Sequence, residues 1–396
     1  MEQTFSWFRY GFWKLYFSQK TNVKLLFLQA EKVLNSNCPF GPVISARFTT
    51  VLGSQLDLIL HIKGQTNFKI QCLTLSASQK PEIMKAIILK GFGGVENLVI
   101  TDVPVPDVSD NEVLVKVKAI GINPVDIKTR SGKALAGRLK DLNPIILGWD
   151  ISGIIAKTGM SVTSFKKGDE VFGMVNFPGH GKAYAEYVAA PETHLALKPA
   201  NISHEDAAAA SLAALTAWQV LKEKAKIKSG DKVLIHAAAG GVGHYAVQMS
   251  KYLGAYVVGT ASGKNRDFIL SLGASEHIDY EKQRFEDVLH GIDFILDTIG
   301  GDYIDRSLKV LKSGGTIISI PSGASENIAE KAKVKGLNGY PFSVQSNGKN
   351  MKEISDLLQK NIVKSCISKT FSFDEMQSAH LQIETGKTKG KVVVTL

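Results

Sequence analysis

Glycines spaced as in Ala238-Ala239-Gly240-Gly241-Val242-Gly243 remove side chains where a backbone must come close to something bulky. Set between a strand and a helix, such a turn aims free N–H groups and the positive end of the helix dipole at an anion. A dinucleotide pyrophosphate is held in that way. The flanking pattern suits this chemistry: 232–236 (KVLIH) reads as a buried strand, a helix runs on through Leu253, and a second strand follows at 256–260. A purely structural turn would explain a lone glycine run, but it would not require strand, turn, helix and strand in this order.

The end of the second strand selects the dinucleotide. Sites for NADH place an Asp or Glu about twenty residues past the glycines, on the ribose 2′-hydroxyl. Here the chain has Gly259-Thr260-Ala261-Ser262-Gly263-Lys264-Asn265-Arg266, with no carboxylate. Ser262 can donate to a 2′-phosphate, and Lys264 and Arg266 can pair with it. NADPH is therefore expected, the alternative being that both cations are solvated residues at a helix start.

Metal chemistry has little support. Zinc needs three or four Cys, His or carboxylate groups at workable spacing. The three cysteines (Cys38, Cys72, Cys366) form no CxxC pair, and none of the nine histidines stands in an HExxH or CxxH arrangement. His180, His194 and His204 are near one another in sequence, yet turns and surface loops account for them. Without a disulfide framework either, a reducing, cytoplasmic compartment is expected.

The elements that must position these groups fall into two textures. From Lys85 to about Lys198 the chain reads as short strands, as in 112–120 (EVLVKVKAI), whose alternation marks a half-buried antiparallel strand. Lys167-Gly168-Asp169 then reads as a turn before a strand at 170–173. From about Glu205 strands and helices alternate: a helix at 207–221, the strand–turn–helix–strand above, a helix near 266–272, a strand at 293–297, a helix across 303–311 and a strand at 316–320. That is the pattern of an α/β, doubly wound parallel sheet of Rossmann type. Strand-like segments at 369–373 and 391–395 are expected to return to the first domain. The division expected is a catalytic domain over 84–206 and 362–396, with a dinucleotide-binding domain over 207–361.

Residues 1–83 differ from the rest. They carry nine Lys/Arg against four Asp/Glu, half of the formal net charge of +10, and 5–17 is crowded with aromatics. Arg9 and Lys14 interrupt that run, so it lacks the apolar region of a secretory signal, and one Arg in the first forty residues makes a poor transit peptide. Met84 reads as a natural start and 1–83 as an appendage outside the main fold, with a targeting or membrane-surface segment as the alternative. The remaining charge is spread thinly, which argues against a nucleic-acid partner, and no apolar run is long enough for a membrane span.

From 84 to 396 the chain resembles the zinc-independent medium-chain dehydrogenase/reductases, in particular the quinone oxidoreductases and enone or alkenal reductases. The resemblance is carried by Gly121-Ile122-Asn123-Pro124-Val125-Asp126-Ile127-Lys128, Leu147-Gly148-Trp149-Asp150-Ile151-Ser152-Gly153, Lys167-Gly168-Asp169-Glu170-Val171-Phe172-Gly173, Ala214-Leu215-Thr216-Ala217-Trp218, the glycine turn, and Gly390-Lys391-Val392-Val393-Val394. It implies a β-rich GroES-like catalytic domain beside the Rossmann domain, and a homodimer joined through cofactor-domain edges. Zinc-dependent relatives carry a Cys ligand and a nearby His in the stretch of Asn123-Pro124-Val125-Asp126, and Gly-His-Glu where Gly148-Trp149-Asp150 stands. Both ligand motifs are replaced here.

The resemblance also implies roles. Asn123 and Asp126 lie beside the nicotinamide and substrate, Thr216 contacts the nicotinamide side, and Gly240, Gly241, Val242 and Gly243 hold the pyrophosphate. Ser262, Lys264 and Tyr280, with Arg266 close by, surround the 2′-phosphate. Thr298-Ile299-Gly300 and Ile320-Pro321-Ser322 end later strands along the cofactor. Lys128 stands where many quinone oxidoreductases carry Tyr, which points to the enone reductase branch.

The reaction expected is hydride transfer from NADPH to the β-carbon of an enone or alkenal, or to a quinone. Without zinc, charge on the acceptor oxygen must be met by donors such as Asn123, a ribose hydroxyl, Lys128 or water. Tyr184 is weighed as a proton donor against a role as a cleft-lining aromatic. The substrate cleft is expected to be lined by loops, especially 339–348. The rivals are a zinc-free alcohol dehydrogenase, a non-catalytic NADPH- or RNA-binding module, and an acyl-chain enoyl reductase needing a carrier protein.

Overall fold

The computed structural model describes residues 82–321 and 327–396, together with three upstream strands. The chain divides into two compact units, Met1–Ile83 and Met84–Leu396. The upstream strands are Phe27–Leu28 (β1), Val43–Thr49 (β2) and Gln55–His61 (β3), paired antiparallel in that order. The expected appendage thus contains a paired sheet. The aromatic run 5–17 lies outside the described residues.

The strands expected between Lys85 and Lys198 are Ile83–Leu89 (β4), Leu98–Pro104 (β5), Glu112–Ile122 (β6), Asp150–Thr158 (β7), Glu170–Met174 (β8), Tyr187–Pro191 (β9) and Leu195–Leu197 (β10). In β6, Val113, Val115 and Val117 are buried while Lys116 is exposed, as the alternation required. Each such valine contributes about 1.5–3 kcal/mol on burial. β6 pairs with β7 and β9, and β7 with β8.

The dinucleotide-binding part has six strands: Lys232–Ile235 (β11), Tyr256–Ala261 (β12), Glu276–Asp279 (β13), Ile292–Asp297 (β14), Leu311–Ser319 (β15) and Asn338–Pro341 (β16). Their order is β13-β12-β11-β14-β15-β16, all parallel. The order reverses between β11 and β14, and the crevice beyond the strand ends at such a switch point is where an open α/β sheet binds ligands. The chain then returns, as expected, through Ile367–Ser372 (β17) to Lys391–Thr395 (β18), which pairs antiparallel with β6, Val392 opposite Ile122.

The helix His204–Trp218 joins the two parts. Ser203 caps it by accepting the Asp206 N–H, and its alanines allow a close approach to β6. A Cβ on Gly121 would sit 2.6 Å from the Ala208 carbonyl oxygen, so only glycine fits there.

Two expectations need correcting. The helix across 303–311 stops at Ser307, because the Ile292 N–H takes the Val310 carbonyl and draws the next residues into β15. The supposed cleft loop at 339–348 begins as strand β16, parallel to β15 with Gly339 opposite Ile317. Its Pro341 masked the strand, and proline is tolerated because β16 is an edge with one partner. The sequence reading also lacked β13 and the helix Gly348–Gln359.

Candidate active site

The glycine turn follows β11 and opens the helix Gly243–Tyr252. A Cβ on Gly243 would meet the Ala237 oxygen at 2.3 Å and the Ala238 Cα at 2.8 Å, so this glycine lets helix and strand close on each other. A Cβ on Gly241 would find nothing nearer than the Lys391 Cδ at 3.5 Å. That glycine leaves room on the backbone, and the turn with its helix N-terminus fits a dinucleotide pyrophosphate.

At the end of β12, Ser262 is buried and accepts a hydrogen bond from the Asn265 amide at 3.2 Å, while Lys264 is exposed. Arg266 is also exposed and pairs with Asp267 at 3.3 Å. Tyr280, just past β13, is 49% exposed. One acid near this turn was not foreseen. Asp279 comes from β13, and its carboxylate would meet a Cβ on Gly263 at 2.5 Å. It accepts the Glu281 N–H at 3.1 Å and stands 3.8 Å from Lys282, which makes it a brace for the turn.

The later strand ends are gathered by Asp297. Its Oδ1 accepts the N–H groups of Ile299 and Gly300, each at 3.0 Å, and its Oδ2 accepts the Ser319 hydroxyl at 2.6 Å. Thr298 donates to the His236 carbonyl at 2.8 Å, and the Ile320 N–H to the Asp297 carbonyl at 3.0 Å. Ser322 lies outside the described residues. Thr216, on the helix His204–Trp218, donates its hydroxyl to the Leu212 carbonyl at 2.7 Å, so its oxygen retains only acceptor capacity.

Asn123 caps the helix Pro124–Arg130, and its N–H is taken by the Asp126 Oδ2 at 2.6 Å, a spacing that Asn-Pro-x-Asp encodes. Its amide is fully engaged. The Nδ2 donates to Asp150 Oδ2 at 2.8 Å and, more weakly, to the Gly121 carbonyl at 3.4 Å. Its oxygen accepts the ammonium of Lys391. That ammonium also donates to the Ile122 carbonyl at 3.0 Å and lies 3.8 Å from Asp150 Oδ2. Asp150 Oδ1 accepts the Leu212 N–H at 2.9 Å.

All four side chains of this cluster are buried. Burial raises the Asp126 carboxyl above the usual range, with the Asp150 charge adding to it and the Asn123 N–H and Lys391 opposing. Burial pushes Asp150 up to about 6 against the pull of Lys391 and Asn123. Burial also lowers Lys391, and the two carboxylates resist that. Asp126 Oδ1 has no hydrogen-bond partner. The Tyr184 hydroxyl stands near enough to favour the Asp126 carboxylate without hydrogen-bond geometry to Oδ1.

Tyr184 is itself fully buried, and its hydroxyl bonds His380 Nε2 at 2.9 Å. Its ring packs where Gly148 leaves room: a Cβ there would lie 2.3 Å from it. This is a core position, unlike the cleft-lining one expected. Arg130 follows on the same helix face, pairing with Glu384 and donating to the Gly93 carbonyl at 3.1 Å. Lys128 is half-buried; its carbonyl accepts the Ser131 hydroxyl at 2.9 Å, while its ammonium makes no hydrogen bond or ion pair among the described residues.

The sequence reading took Asn123, Asp126, Lys128 and Tyr184 as the catalytic group and gave no role to Lys391. Asp150 was noticed only as a replaced ligand. The signal was a lysine after glycine at the last strand, which reads as an ordinary strand start. The histidines weighed as ligands are engaged separately: His180 with the Ile146 backbone, His194 with the Asn176 N–H and His204 with Ser152. Among the described residues, no three His, Cys, Asp or Glu side chains are grouped to hold a metal.

Two family models match parts of the chain. One described as an alcohol dehydrogenase GroES-like domain matches residues 109–200, and one described as a zinc-binding dehydrogenase matches 272–394. The 2-methylene-furan-3-one reductase of Solanum lycopersicum is 36% identical over 87% of this chain and 88% of its own. The NADPH-dependent alkenal/one oxidoreductase of Arabidopsis thaliana, named chloroplastic, is 31% identical over 91% of this chain and 92% of its own, so that likeness reaches upstream of Met84. The solved quinone oxidoreductase of Coxiella burnetii is 37% identical, covers 80% of this chain and 100% of its own, and superposes with a TM-score of 0.76. The chain belongs to the medium-chain dehydrogenase/reductases, in the branch of quinone oxidoreductases and alkenal/one reductases.

Proposed function

We propose that the chain is an NADPH-dependent oxidoreductase that reduces α,β-unsaturated carbonyl compounds and quinones without zinc. The observation that carries this reading is the buried Asn123–Asp126–Asp150–Lys391 cluster, in which an ammonium and an amide engage the two stretches that the resemblance relates to the zinc-ligand motifs. The relatives' names, alkenal/one oxidoreductase and quinone oxidoreductase, support the substrate class. Gly240, Gly241, Val242 and Gly243 would hold the pyrophosphate, with Thr216, Thr298, Gly300, Ile320 and Ser322 along the rest of the cofactor. Ser262, Lys264, Arg266 and Tyr280 would take the 2′-phosphate.

When bound, NADPH would supply a hydride to the acceptor carbon or quinone, and negative charge would build on the acceptor oxygen. The Asn123 amide has no free donor to offer that oxygen, so its part is to shape the floor of the site. Lys128, whose ammonium has no partner among the described residues, and water would supply the donors. Tyr184 is fully buried with its hydroxyl on His380, and burial raises its pKa, so the carbon would take its proton from water.

The reading keeps the chain in the cytoplasm, and no described helix is long and apolar enough to cross a membrane. It also makes the chain a homodimer through the open edge of β16, where Tyr340 is 52% exposed. Light scattering that finds a monomer would contradict the dimer, and imaging of the tagged full chain in a plastid would contradict the compartment.

The test of function is oxidation of NADPH and NADH by the purified full chain against enones, alkenals and quinones. Turnover with NADPH, unaffected by a zinc chelator, supports the reading. Tight NADPH binding with no acceptor reduced would make the chain a binding module.

A further inference from the structure

One side chain touches both halves of the site. Lys391 begins β18, and the residue before it donates its N–H to the Ala239 carbonyl of the glycine turn at 2.8 Å. The Lys391 stem faces Gly241, its Cδ being 3.5 Å from where a Cβ would stand. Its ammonium reaches the other way, to the Ile122 carbonyl at 3.0 Å, the Asn123 oxygen and Asp150. Gly390, at φ +67°, has no room for a side chain, since a Cβ would lie 2.1 Å from the Cys366 oxygen. The backbone is thereby fixed where Lys391 departs from it.

Each contact has a consequence. An ammonium is only a donor, so it holds the Asn123 amide with its oxygen toward β18 and its nitrogen on Asp150. Asp150 in turn holds the Leu212 N–H at 2.9 Å, and the Leu212 carbonyl takes the Thr216 hydroxyl at 2.7 Å. Orientation at Asn123 therefore depends on one buried cation, and Asp150 ties that amide to the helix that carries Thr216. We propose that Lys391 is a positioning residue for hydride transfer, locking the Asn123 amide on Asp150 beside the glycine turn. This rests on the reductase reading above.

The charged and titratable groups around it come from every element packed there. Asp126 and Arg130 lie on the helix Pro124–Arg130, Asp150 on β7, Tyr184 before β9, His244 on the helix Gly243–Tyr252 and His380 on the helix Met376–Glu384. Lys391 lowers the pKa of both Asp126 and Asp150, so its loss moves both carboxyls upward.

The experiment compares the full chain with Lys391→Met and Lys391→Arg, reading NADPH affinity by fluorescence titration and kcat with an enone from pH 5 to 9. Lys391→Met is expected to lower kcat by about 30-fold, the scale of a misplaced reacting group, while NADPH affinity changes by less than about threefold. Its acid limb is expected to move up by about one pH unit or more, with Lys391→Arg keeping the wild-type limb because it keeps the charge. If Lys391→Met does not fold, Asp150→Asn serves instead, and it is expected to remove the acid limb with Lys391 in place. Unchanged kcat and limb in the variant that folds would overturn the inference. So would a loss of NADPH affinity equal to the loss in kcat at an unmoved limb, which would confine Lys391 to the glycine turn. A wild-type chain that reduces no acceptor would overturn the reductase reading, and this inference with it.

Discussion

Lys391 and Asn123 meet inside the protein, ammonium to amide oxygen, and that contact decides which way the Asn123 amide faces. With its nitrogen on Asp150 at 2.8 Å, Asn123 has no hydrogen left for an acceptor in the cleft. Asn123→Ala should therefore lower kcat by about tenfold through lost positioning, short of the ~10²–10³ that follows removal of an oxyanion donor. Steady-state kcat at saturating NADPH measures this. A thousandfold loss would restore Asn123 as a direct donor.

Lys264 is exposed at the end of β12, on a turn that lacks a carboxylate of its own strand. A charge-assisted bond to a 2′-phosphate is worth about 1.5–3 kcal/mol. Lys264→Ala should thus raise the NADPH KM by about tenfold or more, with the NADH KM unchanged. Equal changes for both cofactors would mean that Lys264 acts on the turn rather than on the phosphate.

The two glycines of the turn should fail differently when given a methyl group. Gly243→Ala puts a Cβ 2.3 Å from the Ala237 oxygen, so helix and strand must part and the chain loses stability along with cofactor binding. Gly241→Ala meets only ordinary contacts at 3.5 Å and beyond, so the fold should survive. Its methyl group narrows the approach to the pyrophosphate, and the NADPH KM should rise. Melting curves with NADPH titrations separate the two, and an unfolded Gly241→Ala would contradict the geometry.

Acid should destabilise the protein before it reaches the ordinary carboxylate range. Burial pushes His236 and His244 down to about 4 and His380 to about 3. The unfolded chain protonates these rings near pH 6.5 while the folded one does not. Their contribution is complete above that pH and falls away as pH drops toward 4. Asp126, raised to about 8, and Asp150, raised to about 6, act in the opposite sense as pH falls through their own ranges. With these three histidines, and His180 also lowered to about 4, against the two carboxyls, Tm should be a few degrees lower at pH 5 than at pH 7.5. His380→Gln should lessen the drop, and a Tm independent of pH would contradict the burial argument.

Local patterns made much of this legible. The alternation in β6, the glycine turn at β11 and the missing acid after β12 each depend on residues close in sequence. Asn123 and Asp126 were legible through the resemblance carried by Asn123-Pro124-Val125-Asp126, and the structure adds that they cap one helix three residues apart. What the sequence could not give was long-range. Lys391 lies far from Asn123 along the chain, and only the antiparallel pairing of β18 with β6 brings them together. Asp279 was not foreseen, and the burial of Tyr184 was not, for the same reason: their partners, Gly263 and His380, come from other elements. β16 was hidden by a proline that only its place at a sheet edge permits.

The most direct measurement is the destination of the hydride. The full chain is given an enone and NADPH deuterated at the transferable C4 position, and the product is read by NMR. The account requires deuterium at the β-carbon with the carbonyl retained. Deuterium at the carbonyl carbon of an alcohol product would make the chain a zinc-free alcohol dehydrogenase and contradict the proposed reaction.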